Sequence, residues 1–187
     1  MRRPKADPEG RATRRAGADA PAPDRARPEG GARQSDGGLE EGAKAPAFSL
    51  ESSAGPVSLK DFFGKTVIVY FYPKDLTPGC TTEAIDFHKA RAKLEKKGVT
   101  VLGISRDTVT THEKFAAKCD LGFPLLSDPD GRVTKAWGAW GEKTLYGKKT
   151  EGVIRSTFIV GPDGKIKRAW RSVKVPGHVD AVLAELG

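Results

Sequence analysis

One cysteine of this chain stands where a reactive thiol is expected, at the start of a predicted helix. The run 67–72 (VIVYFY) is apolar, β-branched and aromatic, which is typical of a strand buried on both faces. Pro73 ends that strand, and Thr77 is a candidate N-cap of the helix that follows, which is predicted to run to about Lys96. Cys80 then lies in the first helical turn, where free backbone N–H groups and the helix dipole favour the thiolate.

The helix terminus alone does not make this thiolate the predominant form. A free thiol is only about 3% ionised at pH 7, and raising that to about 90% requires roughly 3.4 kcal/mol. A helix terminus contributes about 0.3–1 kcal/mol, or ~2 kcal/mol when it is partly buried. An additional cation close to Cys80 is therefore predicted.

The positive charge of the chain is not concentrated in one block. The formal charge is +8, and residues 1–38 hold nine Lys and Arg against six Asp and Glu. The remaining charges are spread over the rest of the chain with their signs interleaved. This pattern favours a solvated surface and disfavours nucleic-acid binding. A weak polyanion-binding arm within residues 1–38 stays open as an alternative.

The composition divides the chain into a tail and a domain. Residues 1–38 contain no Val, Ile, Leu, Phe, Tyr or Trp, and Ala, Arg, Gly and Pro dominate. Such a segment buries too little apolar surface to offset the entropy lost on ordering, so a disordered tail is predicted. Residues 39–187 are predicted to form one folded domain.

The two cysteines, Cys80 and Cys119, suggest a reducing compartment. They form no Cys-x-x-Cys pair, which disfavours dithiol exchange of the thioredoxin kind. The chain has no apolar run of membrane-spanning length, and its N-terminus lacks the apolar segment of a secretory signal. A cytoplasmic location without a membrane partner is therefore expected.

The order of predicted elements indicates an α/β fold. Strand–helix–strand units imply parallel neighbours, and a late hairpin adds antiparallel strands. We predict a thioredoxin-like fold, with a mixed central sheet, helices on both faces and an N-terminal β-hairpin. Besides strand 66–72, the predicted elements are a hairpin around 54–56, strands 99–105 and 125–127, a helix to Cys119 opened by a Thr110/Glu113 capping box, a helix at 132–137, a polar loop at 138–152, a hairpin of 156–160 and 165–170, and a last helix at about 179–186.

Several segments carry a resemblance to a known family. Pro73–Cys80 resembles the Pro-x-x-x-Thr-x-x-Cys signature of the peroxiredoxins. Segments 72–84 (YPKDLTPGCTTEA), 123–131 (FPLLSDPDG) and 152–166 (GVIRSTFIVGPDGKI) are similar to the bacterioferritin-comigratory, or Q-type, branch. The resemblance covers about residues 40–187. It is specific because four spaced residues occur in the strand–loop–helix context that their chemistry needs.

The resemblance implies a role for each matching residue. Cys80 would be the peroxidatic nucleophile, and Thr77 would aim its hydroxyl at the thiolate and the peroxide. Pro73 would cover the thiolate from water. Arg155 would be the predicted cation, stabilising both the thiolate and the leaving oxygen. Glu83 is either an ordinary helix acid or the partner of Arg155.

No cofactor or metal is expected. The histidines at 88, 112 and 178 stand apart, and none pairs with a cysteine at a metal-ligand spacing. The resemblance implies chemistry at the sulfur that needs neither haem nor flavin.

The resemblance also implies a resolving cysteine, but its usual positions are occupied here by Ile85 and, in the next helix, Ala116. Cys119 lies three residues beyond Ala116, about 60° from that helix face. It is the candidate resolving cysteine, and the alternative is that it is a small hydrophobic residue buried in the core. If Cys119 does resolve, both helices must open in part, because a disulfide needs Cα atoms within about 7 Å.

The function implied by the resemblance is that of a thiol peroxidase. It would reduce hydrogen peroxide and organic hydroperoxides through a sulfenic acid on Cys80, in antioxidant defence. Thioredoxin or another dithiol would recycle it, and a monomer is expected. The alternative is a non-catalytic peroxide sensor, because the same thiolate would serve both functions.

Overall fold

The computed structural model describes residues 39–145 and 147–187. The predicted disordered tail at 1–38, and with it the alternative of a polyanion-binding arm, lies outside the described residues. The described part has the predicted α/β architecture, with one large mixed sheet, helices on both of its faces and a hairpin at the start.

Nine strands occur among the described residues. They are β1 (Ser49–Ser52), β2 (Gly55–Ser58), β3 (Thr66–Phe71), β4 (Val99–Ser105), β5 (Leu125–Ser127), β6 (Trp140–Leu145), β7 (Lys148–Val153), β8 (Ser156–Val160) and β9 (Ile166–Arg171).

The central sheet has the order β2-β1-β5-β4-β3-β8-β9. Strands β3, β4 and β5 are parallel, as their helical crossovers require. Strand β8 is antiparallel to β3, and β9 is antiparallel to β8. On the other side, β1 pairs antiparallel with both β5 and β2, and this pair is the predicted N-terminal hairpin.

The helices lie on the two faces of this sheet. They are α1 (Pro78–Lys96), α2 (Val109–Cys119), α3 (Arg132–Ala136) and α4 (His178–Glu185), with a 3-10 turn at Leu59–Phe62. Buried residues of α1, α2 and α4 share one apolar cluster, and a buried residue of α3 joins the cluster on the other face.

Strand β3 divides these two cores, which explains its unbroken apolar sequence. Val67, Val69 and Phe71 belong to one cluster. Ile68 and Tyr70 belong to the other. Because successive side chains of a strand point to opposite faces, a strand covered on both sides needs apolar residues at every position.

The predicted loop at 138–152 is wrong, because this segment forms the β6–β7 hairpin. The two strands pair from Trp140 with Val153 to Leu145 with Lys148. Most of β7 is exposed, so its sequence lacks the apolar alternation by which a half-buried strand is recognised. The sequence of the hairpin therefore gives little indication that its two strands pair.

The predicted capping box at the start of α2 is also wrong. The N-cap is Thr108, two residues before Thr110, and its side chain accepts a hydrogen bond from the backbone N–H of Thr111. Several threonines in succession offered more than one possible cap, and the sequence alone did not choose between them.

None of the helices in the described part of the chain has both the length and the apolar character needed to cross a bilayer.

Candidate active site

Cys80 lies in the first turn of α1, as the sequence predicts. Thr77 is the N-cap residue, with an extended backbone (φ −83°, ψ 149°), and a proline follows it. The Cys80 side chain is 1% exposed and packs against the apolar cluster beneath α1. The sulfur is thus shielded from bulk water at the helix end where backbone N–H groups lack helical acceptors.

Arg155 supplies the predicted cation from a distant part of the chain. It lies between β7 and β8, and the next residue, Ser156, pairs with Phe71 at the end of β3. This register brings Arg155 to the edge of the sheet from which the loop to α1 departs. Its Nη2 donates a hydrogen bond to Sγ of Cys80 at 3.2 Å. A guanidinium, which is always charged, therefore contacts the sulfur directly.

Glu83 holds the other side of the same guanidinium. It lies one turn after Cys80 on α1, and its Oε2 accepts a hydrogen bond from Nη1 of Arg155. This settles the two alternatives for Glu83 in favour of the ion-pair partner. Burial raises the pKa of the Glu83 carboxyl to about 7, although the charge of Arg155 opposes the rise. Burial lowers the pKa of Arg155, but the charges of Glu83 and Cys80 raise it overall.

Two further buried groups respond to this cluster of charges. Burial raises the pKa of Tyr70 well above its usual value, and the charges of Glu83 and Cys80 add to the rise. Burial and the nearby charge of Arg155 lower the pKa of His178 to about 4. Tyr70 and His178 are therefore both neutral at pH 7.

The structure places Thr77 and Pro73 near the site without the contacts implied by the resemblance. Thr77 is the N-cap by backbone conformation, but its side chain makes no capping hydrogen bond. Its hydroxyl donates instead to the carbonyl of Lys74, at 3.0 Å. Pro73 follows β3 and lines a groove of about 310 Å³ between the loop and the β6–β7 hairpin. The roles of these two residues stay predictions.

Cys119 lies on the same face of the sheet as Cys80. It is the last residue of α2 and packs, partly buried, against the apolar cluster that contains Cys80. Asp120 ends the helix in the left-handed conformation (φ 51°). Both cysteines are free thiols. Burial raises the pKa of the Cys119 thiol, against the opposing charge of Lys118.

Sequence reasoning missed a buried polar network under the loop that precedes α1. The carboxylate of Asp75 contacts the imidazole of His112, 37 residues away, and the hydroxyl of Tyr72. A long separation with no local pattern left no sign of this pairing in a single sequence. Across residues 39–145 and 147–187, no group of three or more His, Cys, Asp and Glu side chains is arranged to hold a metal ion.

Comparison with known proteins finds relatives of this chain. Residues 42–169 match the AhpC/TSA family. The chain is 47% identical over 135 residues to peroxiredoxin Bcp of Xanthomonas campestris, covering 72% of this chain and 84% of that protein. It is 45% identical over 146 residues to peroxiredoxin Bcp of Escherichia coli, covering 78% and 94% of the two chains.

A solved structure has a similar fold. The bacterioferritin comigratory protein of X. campestris superimposes with a TM-score of 0.72 and 45% identity, covering 79% of this chain and 95% of that one. That protein was described through its alkyl peroxide reduction activity, with trapped intermediate and ligand complexes.

Proposed function

The chain belongs to the AhpC/TSA family, in the bacterioferritin-comigratory branch of the peroxiredoxins, and we propose that Cys80 is the nucleophile of its thiol peroxidase reaction. One observation carries this assignment. The Arg155 guanidinium lies 3.2 Å from Sγ of Cys80 and is held there by the buried carboxylate of Glu83. The other cysteine has no comparable surroundings, because it lies at the end of a helix rather than the beginning.

The chemistry follows from this geometry. The Cys80 thiolate attacks the terminal oxygen of a hydroperoxide, the O–O bond breaks, and a sulfenic acid forms on the sulfur. The alcohol or water leaves as an oxyanion and takes a proton from solvent. Arg155 stabilises the thiolate before attack and the developing oxyanion during it, so one guanidinium serves both states.

We assign Thr77 and Pro73 supporting roles in this reaction. The Thr77 hydroxyl donates to the carbonyl of Lys74 in the structure, so this hydrogen bond must break before the hydroxyl can donate to a bound peroxide. Pro73 offers no N–H and lies half-buried between the loop and the adjacent groove. It would limit the access of water to the sulfur once substrate is bound.

We further propose that Cys119 resolves the sulfenic acid. Its thiolate attacks the oxidised sulfur of Cys80, a disulfide forms as the S–O bond breaks, and hydroxide leaves and takes a proton from solvent to become water. The start of α1 and the end of α2 must unwind to bring the two Cα atoms within about 7 Å. Cys119 ends α2 and a left-handed residue follows it, so only the last turn of that helix has to open.

The reductant and the working unit are also proposals. A dithiol such as thioredoxin would reduce the Cys80–Cys119 disulfide by exchange and complete the cycle. A monomer is the proposed working unit. Two free thiols that must be returned to the reduced state are consistent with a reducing cytoplasm.

Mass spectrometry after one equivalent of hydrogen peroxide tests the proposal. The full chain should lose two hydrogens and form the Cys80–Cys119 disulfide, while Cys119→Ser should accumulate a Cys80 sulfenic acid. Ala116→Cys in the Cys119→Ser chain is the matched variant, and it should restore the disulfide from the position that the family resemblance suggests. An unoxidised Cys80 would refute the assignment of the nucleophile.

Steady-state turnover with thioredoxin and its reductase distinguishes the enzyme from a sensor. Repeated turnovers are expected for the full chain. Full turnover by Cys119→Ser would remove Cys119 from the cycle and indicate resolution by an external thiol. One oxidation without further turnover, with every dithiol tried, would favour the sensor.

A further inference from the structure

A fully buried contact between a carboxyl group and an imidazole lies beneath the loop that leads into α1. Oδ2 of Asp75 is 2.7 Å from Nδ1 of His112, and both side chains are at most 1% exposed. The other carboxylate oxygen of Asp75 accepts a hydrogen bond from the hydroxyl of Tyr72, at 2.6 Å. The backbone N–H of Asp75 donates to the carboxylate of Asp107, at 2.9 Å. Nε2 of His112 is 3.1 Å from the carbonyl oxygen of Leu126.

The partners determine where the protons are. A carbonyl can only accept, so Nε2 of His112 carries a hydrogen and donates it to Leu126. Nδ1 of His112 faces one oxygen of Asp75, and the Tyr72 hydroxyl donates to the other. Each polar atom of the pair thus has a partner, which buried polar groups require in order to be stable.

This network joins four elements to one residue of the loop. Tyr72 follows β3, Asp107 follows β4, His112 belongs to α2, and Leu126 belongs to β5. All four hold Asp75, directly or through the imidazole, five residues before the proposed nucleophile. The loop can therefore move at Asp75 only if this buried contact breaks.

The residue after Asp75 shows what the network has to hold in place. Leu76 adopts the left-handed conformation with φ of 60°, which is unfavourable for a leucine. Strained backbone persists only where the surroundings determine it. The Leu76 side chain is 44% exposed, so its own packing contributes little. Thr77 then begins α1, and Cys80 follows within the first turn.

We propose that Asp75 and His112 are positioning residues for the peroxidase reaction. Neither has a hydrogen bond to Cys80, but together they fix the strained turn that sets the start of α1 against Arg155. This proposal rests on the proposed roles of Cys80 and Arg155. Without the pair, the first turn of α1 loosens, the contact between sulfur and guanidinium weakens, and a smaller fraction of the sulfur is ionised at neutral pH.

The test separates positioning from stability. Asp75→Ala removes both carboxylate contacts, whereas Asp75→Asn can still donate to Nδ1 of a neutral His112 and accept from Tyr72. Leu94→Ala is the matched control, because Leu94 is equally buried on α1 but lies near its other end. Each full-length variant is assayed for its rate constant with hydrogen peroxide, for alkylation of Cys80 against pH, and for Tm.

Asp75→Ala should lose about tenfold in the peroxide rate constant, with the alkylation midpoint raised by about one pH unit. Asp75→Asn should restore both to within a few-fold of the unmodified chain. Leu94→Ala should lower Tm and leave both readouts unchanged. If Asp75→Ala does not fold, His112→Gln is tested in its place, and the same result is expected. The side-chain amide of the glutamine can contact either Leu126 or Asp75, whereas the histidine ring contacts both.

A lowered Tm with unchanged alkylation and rate in Asp75→Ala or His112→Gln would overturn the proposal, leaving the pair a structural role alone. If the assignment of Cys80 as the nucleophile is wrong, the result is different: Cys80→Ser still consumes peroxide. The charged groups near the titrating sulfur, Arg155 and Glu83, are present in all these variants. Losing the negative charge of Asp75 would by itself lower the Cys80 midpoint, so a raised midpoint in Asp75→Ala reports geometry.

Discussion

The two cysteines occupy opposite ends of two helices on one face of the sheet, and their sulfurs differ accordingly. Cys80 lies in the first turn of α1, is 1% exposed and accepts a hydrogen bond from Arg155. Cys119 is the last residue of α2, is half-buried, and has a raised pKa. If Cys80 is the nucleophile, as we propose, the position of a thiol along its helix matters more than its burial.

The physical reason is the asymmetry of helix ends. Free N–H groups and the positive end of the dipole favour a thiolate at the start, and free carbonyls disfavour one at the end. Each end contributes about 0.3–1 kcal/mol, so the helices alone separate the two thiols by ~1–2 kcal/mol. Arg155 adds a direct charge at one site, whereas Cys119 has the exposed Lys118 nearby.

Replacing each cysteine in turn by serine should give the largest difference in the rate of peroxide consumption. Cys80→Ser should abolish peroxide consumption with the fold intact, because no other thiol has its surroundings. Cys119→Ser should consume the first equivalent of peroxide at the normal rate, since Cys119 acts only after oxidation. Stopped-flow peroxide consumption measures both. Equal first-turnover rates for Cys80→Ser and the unmodified chain would refute the contrast.

Removing the cation should make the two sites more alike. Arg155→Ala should lower the peroxide rate constant by about 100-fold or more, the usual effect of losing one donor to a developing oxyanion. Arg155→Lys should retain part of the rate, because a point charge replaces the planar fork. Arg91→Ala, at an exposed ion pair on α1, is the control and should change nothing. An unchanged rate in Arg155→Ala would remove the guanidinium from the mechanism.

The buried carboxyl group of Glu83 beside Cys80 should give the site its own pH dependence. The folded chain holds the Glu83 proton up to a pKa of about 7, whereas the unfolded chain releases it near 4.5. Between these values the folded state binds more protons, so the free energy of unfolding falls as pH rises, by about 3 kcal/mol at most.

Glu83→Gln should remove this fall while keeping an oxygen for Arg155. Urea unfolding at several pH values between 4.5 and 8 measures the difference between the two chains. The gap should open as pH rises and stay constant above about pH 7.5. Identical pH dependences would show that the carboxyl titrates normally in the folded chain.

Two left-handed residues, one at each helix end, give the smallest predicted effect. Leu76 precedes α1 with φ of 60°, and Asp120 follows α2 with φ of 51°. Leu76→Gly should stabilise the chain by about 0.5 kcal/mol, because glycine avoids the strain of ~1–2 kcal/mol but has a more flexible unfolded state. Asp120→Gly should gain less, because aspartate tolerates this conformation better. Urea midpoints measure both, and a loss above 1 kcal/mol in Leu76→Gly would show that the leucine side chain is packed.

The sequence predicted the Cys80 site well because its signals are local. The apolar run of β3, the proline that ends it and the N-cap before α1 all lie within 18 residues of one another. Strand burial, helix start and cysteine position each follow from short-range rules. The family signature at Pro73–Cys80 suggested the role of each residue. The need for a cation followed from the free energy required to ionise the thiol, which exceeds what a helix terminus contributes.

Other features depended on tertiary contacts that no local rule contains. Arg155 reaches Cys80 because β8 pairs with β3 in one particular register. The Asp75–His112 pair joins a loop to a helix that packs over it. The β6–β7 hairpin escaped prediction because most of β7 is exposed and polar, so its sequence has no apolar alternation. Non-local pairing and solvent-facing strands are the parts that a single sequence leaves open.

The contact between the Arg155 guanidinium and the sulfur of Cys80 is central to the proposed reaction. The rate of Cys80 alkylation, measured against pH, tests the effect of this contact directly. In the Cys119→Ser chain, Arg155→Ala should raise the midpoint for Cys80 by at least about one pH unit, because the guanidinium that contacts the sulfur is lost. In the Cys80→Ser chain, Cys119 should titrate at or above the free-thiol value. Equal midpoints for the two cysteines, unaffected by Arg155→Ala, would contradict the account.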